Sequence, residues 1–269
     1  MSRVSAARRA PSKLVEVWRN EANGITTLSL ARAPVNGLNL ELALEVRAAL
    51  ESAVAADSRG IVLTSSLPTV FSAGVDIREM HRPVVQRCYE FWSSLQDLWL
   101  TLYGLPIPTA AAINGSSPGA GCLLALSCEY RVMVESEHTI GFNGPMLGVV
   151  IPKWIQDTLI RTVGYRQAEL ALLRGKLFQP REALNIGLVD ELAVDKNQAV
   201  AKCEAYLADF ANVPGAARAA TKTSLRQEAM DWLRKYREQD TRTFVDALML
   251  PKVQEDLDNY IQSLKNRSK

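Results

Sequence analysis

Apolar and polar residues alternate over 14–18 and again over 25–30, on either side of Asn23-Gly24. A period of two around such a turn pair predicts a β-hairpin. The period then changes. Leu40, Leu44, Val46, Leu50 and Val54 recur at helical spacing over 40–56, with Asn39 placed to cap the first turn. Residues 60–64 and 109–113 are short apolar runs, the mark of strands covered on both faces. Between them, 89–103 reads as an amphipathic helix stopped by Gly104, Pro106 and Pro108. A helix from about Cys122 to Ser127 and strands at 130–134 and 139–142 follow. From Ile155 the pattern is mostly helical, over 155–163, 166–173, 180–187, 197–211, 214–227 and 230–264.

Strands come first and helices last, with no linker between them. That order predicts an α/β core over 14–195 and a helical C-terminal region over 196–269. The chain has 269 residues, 48% of them hydrophobic, enough for a large core without disulfide or metal staples. Thirty-one Lys+Arg against 29 Asp+Glu leave a net charge of +2, which argues against a global nucleic-acid footprint. No apolar run reaches the length of a membrane span. Cys88, Cys122, Cys128 and Cys203 are scattered and there are two His, so a zinc site is not expected and the cysteines read as reduced core fillers.

The first thirteen residues carry Arg3, Arg8, Arg9 and Lys13, three serines and no acid. This composition is that of a mitochondrial transit segment, and the chain does not end in the SKL peroxisomal address.

Two strand-to-loop junctions carry candidate chemistry. One is 71–77 (FSAGVDI), after the first apolar run. The other is 113–123 (INGSSPGAGCL), after the second. Small residues let a ligand approach the peptide amides, and the second turn opens a helix whose first N–H groups lack internal partners. Two such turns side by side can aim two backbone N–H groups at one oxygen, the requirement of an oxyanion hole. Neither matches a phosphate loop.

FSAGVDIREM, AAINGSSPGAGCLLAL and TIGFNGPMLGVVIPKW, together with APVNGLNLEL and the helix around FW and LWLTLY, resemble the enoyl-CoA hydratase/isomerase (crotonase) superfamily, and within it the mitochondrial Δ3,Δ2-enoyl-CoA isomerases. The resemblance runs from about Leu14 to the C-terminal helices. It implies a crotonase-type spiral of ββα units, a helical trimerisation region forming a homotrimer or hexamer, and a fatty acyl-CoA thioester as substrate, without metal or other cofactor. It places the oxyanion amides on Val75 and Ala120, and the acyl-CoA site on Ala73, Gly74, Val75, Asp76, Ile77, Ala120 and Asn143. Asp76 also reads as a cap on the next helix.

The pattern breaks at the acid. The related isomerases move a proton from C2 to C4 of a 3-enoyl thioester with one glutamate, and the matching position here is Gly144. The hydratases' second glutamate falls on Leu123, and the acid of the peroxisomal isomerases on Pro152. Asp76, Glu79, His81, Cys122 and His138 lie near enough in sequence to be weighed as substitutes, and none stands out. Three readings follow: an enoyl-CoA isomerase using a displaced acid or water, a thioesterase or hydratase-like enzyme working from the oxyanion hole, or a non-catalytic acyl-CoA-binding homologue. Arg226, Arg234, Lys235 and Arg237 read as a solvated helix face rather than an RNA-binding one, because Glu228, Asp231 and Glu238 interleave them.

Overall fold

The hairpin forms in the computed structural model, which describes residues 13–267; the basic segment that ends at Lys13 otherwise lies outside the described residues. β1 (Val15–Asn20) pairs antiparallel with β2 (Ile25–Leu30). The helix α1 (Leu40–Ala55) follows, and the Asn39 side chain accepts from the Leu42 N–H as its N-cap.

Three units then share one plan: a strand, a shorter extended segment and a helix. The first is β3 (Gly60–Ser65), a bridge at Val70, and α2 (Val85–Tyr103). The second is β4 (Thr109–Ile113), β5 (Ser117–Pro118) and α3 (Ala120–Ser127). The third is β6 (Tyr130–Val134), β7 (Ile140–Gly141) and α4 (Lys153–Val163). The chain continues through α5 (Tyr165–Arg174), β8 (Leu177–Phe178), α6 (Pro180–Asn185), β9 (Glu191–Ala193), α7 (Lys196–Ala208), α8 (Gly215–Leu248) and α9 (Pro251–Arg267). The larger sheet has the order β1-β2-β3-β4-β6-β9, parallel from β2 onward, and a smaller sheet has the order β5-β7-β8. This is the ββα spiral that the resemblance implies.

Both faces of the larger sheet are covered, as the apolar runs require. Ile61 and Leu63 of β3 join the main core with Leu42, Val46 and Leu50 of α1 and Phe91, Leu95 and Leu98 of α2. Val62, between them, faces the other way and packs with Ala110, Ala112 and Val132 under Ala199, Cys203 and Leu207 of α7. The helical region from 196 onward therefore divides: α7 is a layer on the sheet, while α8 runs beside α2 and α4. All four cysteines are buried and unpaired.

Several element boundaries differ from the sequence expectation. The helices expected over 214–227 and 230–264 are instead α8, unbroken through 228–229, and α9, which starts at Pro251. Nothing at 228–229 interrupts the backbone ladder, whereas Pro251 lacks an N–H and fits the first helical position. α2 begins four residues earlier than expected. α3 begins at Ala120 rather than Cys122, which matters for the site.

Candidate functional site

β3 and β4 are parallel neighbours, Ile61 opposite Thr109, so the loops that follow them leave the same edge of the sheet side by side. Val70 bridges to Ser116, and the Phe71 N–H donates to the Ser116 carbonyl at 3.0 Å. From the other side, the segment before α1 holds the first loop: Ala73 N–H donates to Val35 O at 2.9 Å and Leu38 N–H to Gly74 O at 2.7 Å. Asp76 N–H then donates to Leu38 O at 2.8 Å. A parallel bridge engages the residues flanking its centre on one strand, so Gly74 and Asp76 are used and Val75 between them is skipped.

Ala120 is the first residue of α3, where a helix has no internal acceptor for the amide. Among the described residues, no protein group accepts from the N–H of Val75 or of Ala120. The two loops are in direct backbone contact. Gly74 sits at φ +89°, and a Cβ there would lie 2.8 Å from Pro118 O and 3.4 Å from Ala120 N. At Gly121 a Cβ would lie 2.4 Å from Ser72 O. Only glycines allow this approach.

Both loops open on one cleft of about 270 Å³. Ala73, Gly74, Val75, Asp76, Ile77, Ala120, Asn143 and Gly144, spread over three segments of sequence, all line it. Trp92, Leu95, Phe142, Ile155 and Phe244 supply apolar wall; Arg32 and Arg78 are its cations, and α9 contributes Tyr260 and Leu264. Asn143 Oδ1 comes close to Gly119, 3.9 Å from where a Cβ there would sit.

Asp76 is the one carboxylate among the described lining residues, and it is committed elsewhere. It accepts from the Arg78 N–H at 3.0 Å, capping the turn Ile77–Glu79, and pairs with Arg32 Nη2 at 2.7 Å and Arg78 Nη2 at 2.8 Å. Burial raises a carboxyl pKa, but the two guanidinium groups outweigh it and hold Asp76 down at about 2. A group so acidic is a poor proton acceptor near neutral pH. The capping reading of Asp76 is the one its contacts support.

A side chain at 144 would meet the end of the Ile151 side chain. A Cβ on Gly144 would lie 2.4 Å from Ile151 Cδ1 and 3.0 Å from Val149 O. Pro152 lines the cleft without an acid, and Leu123 is buried in the core away from it. The other candidate acids and bases are engaged outside the cleft. Glu79 is buried against Arg87 and accepts from Leu40 N–H; His81 Nε2 meets Asp258 at 2.8 Å. His138 Nδ1 meets Ser116 Oγ at 3.3 Å, and burial pushes the Cys122 thiol far up. Arg226 and Arg237, charged residues of α8, are tied to the core: Arg226 donates to Tyr103 O and Ser127 O, and Arg237 to Ser93 O and Asp97.

Arg32 and Asn36 serve the site without a sequence motif that marks them. Asn36 is fully buried, and its amide donates to Ser65 Oγ at 2.7 Å and Phe71 O at 3.0 Å, fastening the first loop to β3. The Asn36-Gly37 pair is a visible turn signal, but nothing in it points to Phe71. Phe244 is equally hidden, since it reaches the cleft only through the packing of α8.

Residues 20–268 match the enoyl-CoA hydratase/isomerase family. The chain is 40% identical over 266 residues to "Enoyl-CoA delta isomerase 1, mitochondrial" of Rattus norvegicus, covering 98% of this chain and 92% of that protein. The crystal structure of human mitochondrial delta3-delta2-enoyl-CoA isomerase superposes with a TM-score of 0.92 at 36% identity, over 95% of this chain and 100% of that one. That of an enoyl-CoA hydratase from Bacillus halodurans superposes with a TM-score of 0.81 at 25% identity, over 91% and 99%. A crotonase-type fold, two converging glycine loops and full-length similarity lead to one assignment: the chain belongs to the enoyl-CoA hydratase/isomerase family.

Proposed function

We propose that the protein binds fatty acyl-CoA thioesters in this cleft and acts on them as a slow enoyl-CoA isomerase that lacks a resident glutamate. The observation that carries the reading is the pair of acceptor-free amides, Val75 and Ala120, on glycine loops that touch. Two such donors would hold the thioester oxygen as charge develops on it. Removal of a C2 proton from a 3-enoyl thioester leaves a dienolate on that oxygen, and a proton delivered to C4 gives the conjugated 2-enoyl ester. The apolar wall formed by Trp92, Leu95, Phe142 and Ile155 suits the acyl chain, and Arg32 and Arg78 favour an anionic ligand at the same cleft. The similarity to enoyl-CoA isomerases supports the reaction type, and the relatives' names support a mitochondrial location. Homotrimer assembly is part of the proposal, supported by the family resemblance.

With Gly144 where the related isomerases carry their acid and Asp76 locked between arginines, proton transfer falls to water. A positioned acid–base group contributes about 10²–10⁴-fold. The lack of an acid at Gly144 favours, as a second reading, a binding protein without turnover. Ultraviolet absorbance of the conjugated product, followed from a 3-enoyl-CoA ester, separates the two. Slow wild-type turnover is expected, and Gly144→Glu combined with Ile151→Val, which removes the obstructing Cδ1, should raise it by about 10²-fold or more. Complete silence in the wild type with activity gained by the double variant would point to a binding or thioester-hydrolysing role; silence in both would remove the isomerase reading.

A further inference from the structure

Phe244 of α8 stands between two cavities. Its ring stacks on Trp92 with centroids 3.4 Å apart and planes within 10°, and it lines the cleft together with Val149, Val150 and Pro152. The same four residues line a second pocket of about 140 Å³, completed by Ala247, Leu248 and Val253 together with Gly148, Asp240 and Thr243. Phe244 is 7% exposed, so the ring fills the partition rather than hanging in solvent. The stack is held from behind. Trp92 Nε1 donates to Asp240 Oδ2 at 2.9 Å, and Gln96 Nε2 and Trp154 Nε1 donate to the same oxygen at 2.8 and 3.1 Å. Asp240 is one helical turn before Phe244, so one stretch of α8 supplies both the ring and the anchor of the ring it stacks on.

We propose that Phe244 is a specificity-determining residue: its ring, braced against Trp92, ends the acyl portion of the cleft and sets the chain length that the protein accepts. The inference rests on the acyl-CoA reading above. Chains short enough to stop at the ring bury every added methylene. Longer ones must leave the cleft or displace a braced aromatic pair. The second pocket is the room that becomes available if the ring is removed, and a cavity of about 150 Å³ holds a benzene-sized group, or roughly six carbons.

The test is the affinity of the full-length protein for butanoyl-, octanoyl-, dodecanoyl- and hexadecanoyl-CoA, measured by titration calorimetry below micelle-forming concentrations. Each methylene taken from water tightens binding by about fourfold. The wild type should follow that slope through the shorter chains and then level off. In Phe244→Ala the rise should continue for several more carbons, and Ala247→Leu added to it, which refills the second pocket, should restore the earlier plateau. Phe244→Leu, with its smaller loss of packing, should show the same outward shift on a lesser scale should Phe244→Ala fail to fold. An unbroken rise to hexadecanoyl-CoA in the wild type overturns the inference, as does an unchanged plateau in folded Phe244 variants. Failure of the wild type to bind any of the four esters sinks the acyl-CoA reading itself, and the inference with it.

Discussion

Asp76 and Gly144 line one cleft, and each gives up chemistry for packing. Asp76 is 8% exposed and bonded to two arginines, with its pKa lowered from 3.8 to about 2. A depressed carboxyl pKa contributes stability that is fully present above the unfolded value and lost as pH falls through the folded one. The window here runs from about pH 4 down to about pH 2, and the contribution is about 2 kcal/mol. Asp76→Asn should therefore lower the stability measured by urea unfolding at pH 7 by about that amount. Below pH 2 the variant and wild type should converge. Equal acid sensitivity in both proteins would show that the arginine pairs do not hold the carboxylate. The sequence shows that no acid stands at 144. It does not show that Ile151 fills the space, because that contact spans a 3-10 turn whose path depends on Val149 N–H donating to Gly144 O at 3.0 Å.

The elements that build the site are readable where their periodicity is long. β2, β3, β4 and α1 lie within a residue or two of expectation, because each carries several consecutive pattern positions. β5, β8 and β9 have two or three residues each, too few for a period to register. α3 starts two residues before its expected position, since Gly119 and Gly121 on either side of Ala120 read as a turn. Tertiary contact fixes that start: α3 is drawn against the first loop until Gly121 lies on Ser72. Gly121→Ala should force these two elements apart, costing about 1–3 kcal/mol as an overpacked core site does. If the amides of Val75 and Ala120 act together, turnover or CoA-ester affinity should fall further than the loss of stability explains. A variant with normal ligand binding and a lowered melting temperature would mean that the spacing of the loops is not critical.

At the scale of the whole molecule, α8 must be fixed to the core for Phe244 to reach the cleft. A buried charge cluster does part of this. Glu129, just before β6, pairs with Arg218 and with Lys222 Nζ at 2.7 Å, and Lys222 also donates to Leu105 O at 2.7 Å. Burial alone would raise the Glu129 pKa, yet the two cations hold it below the ordinary carboxylate range; burial pushes Lys222 down to about 8. Glu129→Gln strands two buried cations and should cost about 3–5 kcal/mol at pH 7. Hydrogen exchange should then report faster opening along α8. The loss should shrink as pH rises through about 8, above which Lys222 is neutral in the wild type as well and only Arg218 still needs a counter-charge. A loss independent of pH would show that Lys222 is not the cation that needs Glu129. From the sequence these cations are scattered members of a mixed-charge helix, and only the fold brings Glu129 to them.

The proposed function requires the Val75 and Ala120 amides to polarise one thioester oxygen. Ala120 occupies the first position of α3, where proline is well accommodated, so Ala120→Pro deletes the donor while the helix is kept. The most direct measurement is the infrared difference spectrum of an acyl-CoA labelled with carbon-13 at the thioester carbonyl, bound to the wild type and to Ala120→Pro. The carbonyl stretch should move to lower frequency on binding the wild type, and most of that shift should vanish in the variant, with turnover falling by about 10²–10³-fold. A bound ester whose carbonyl absorbs as it does in water, or a shift unchanged by Ala120→Pro, would show that the two amides do not polarise the ester.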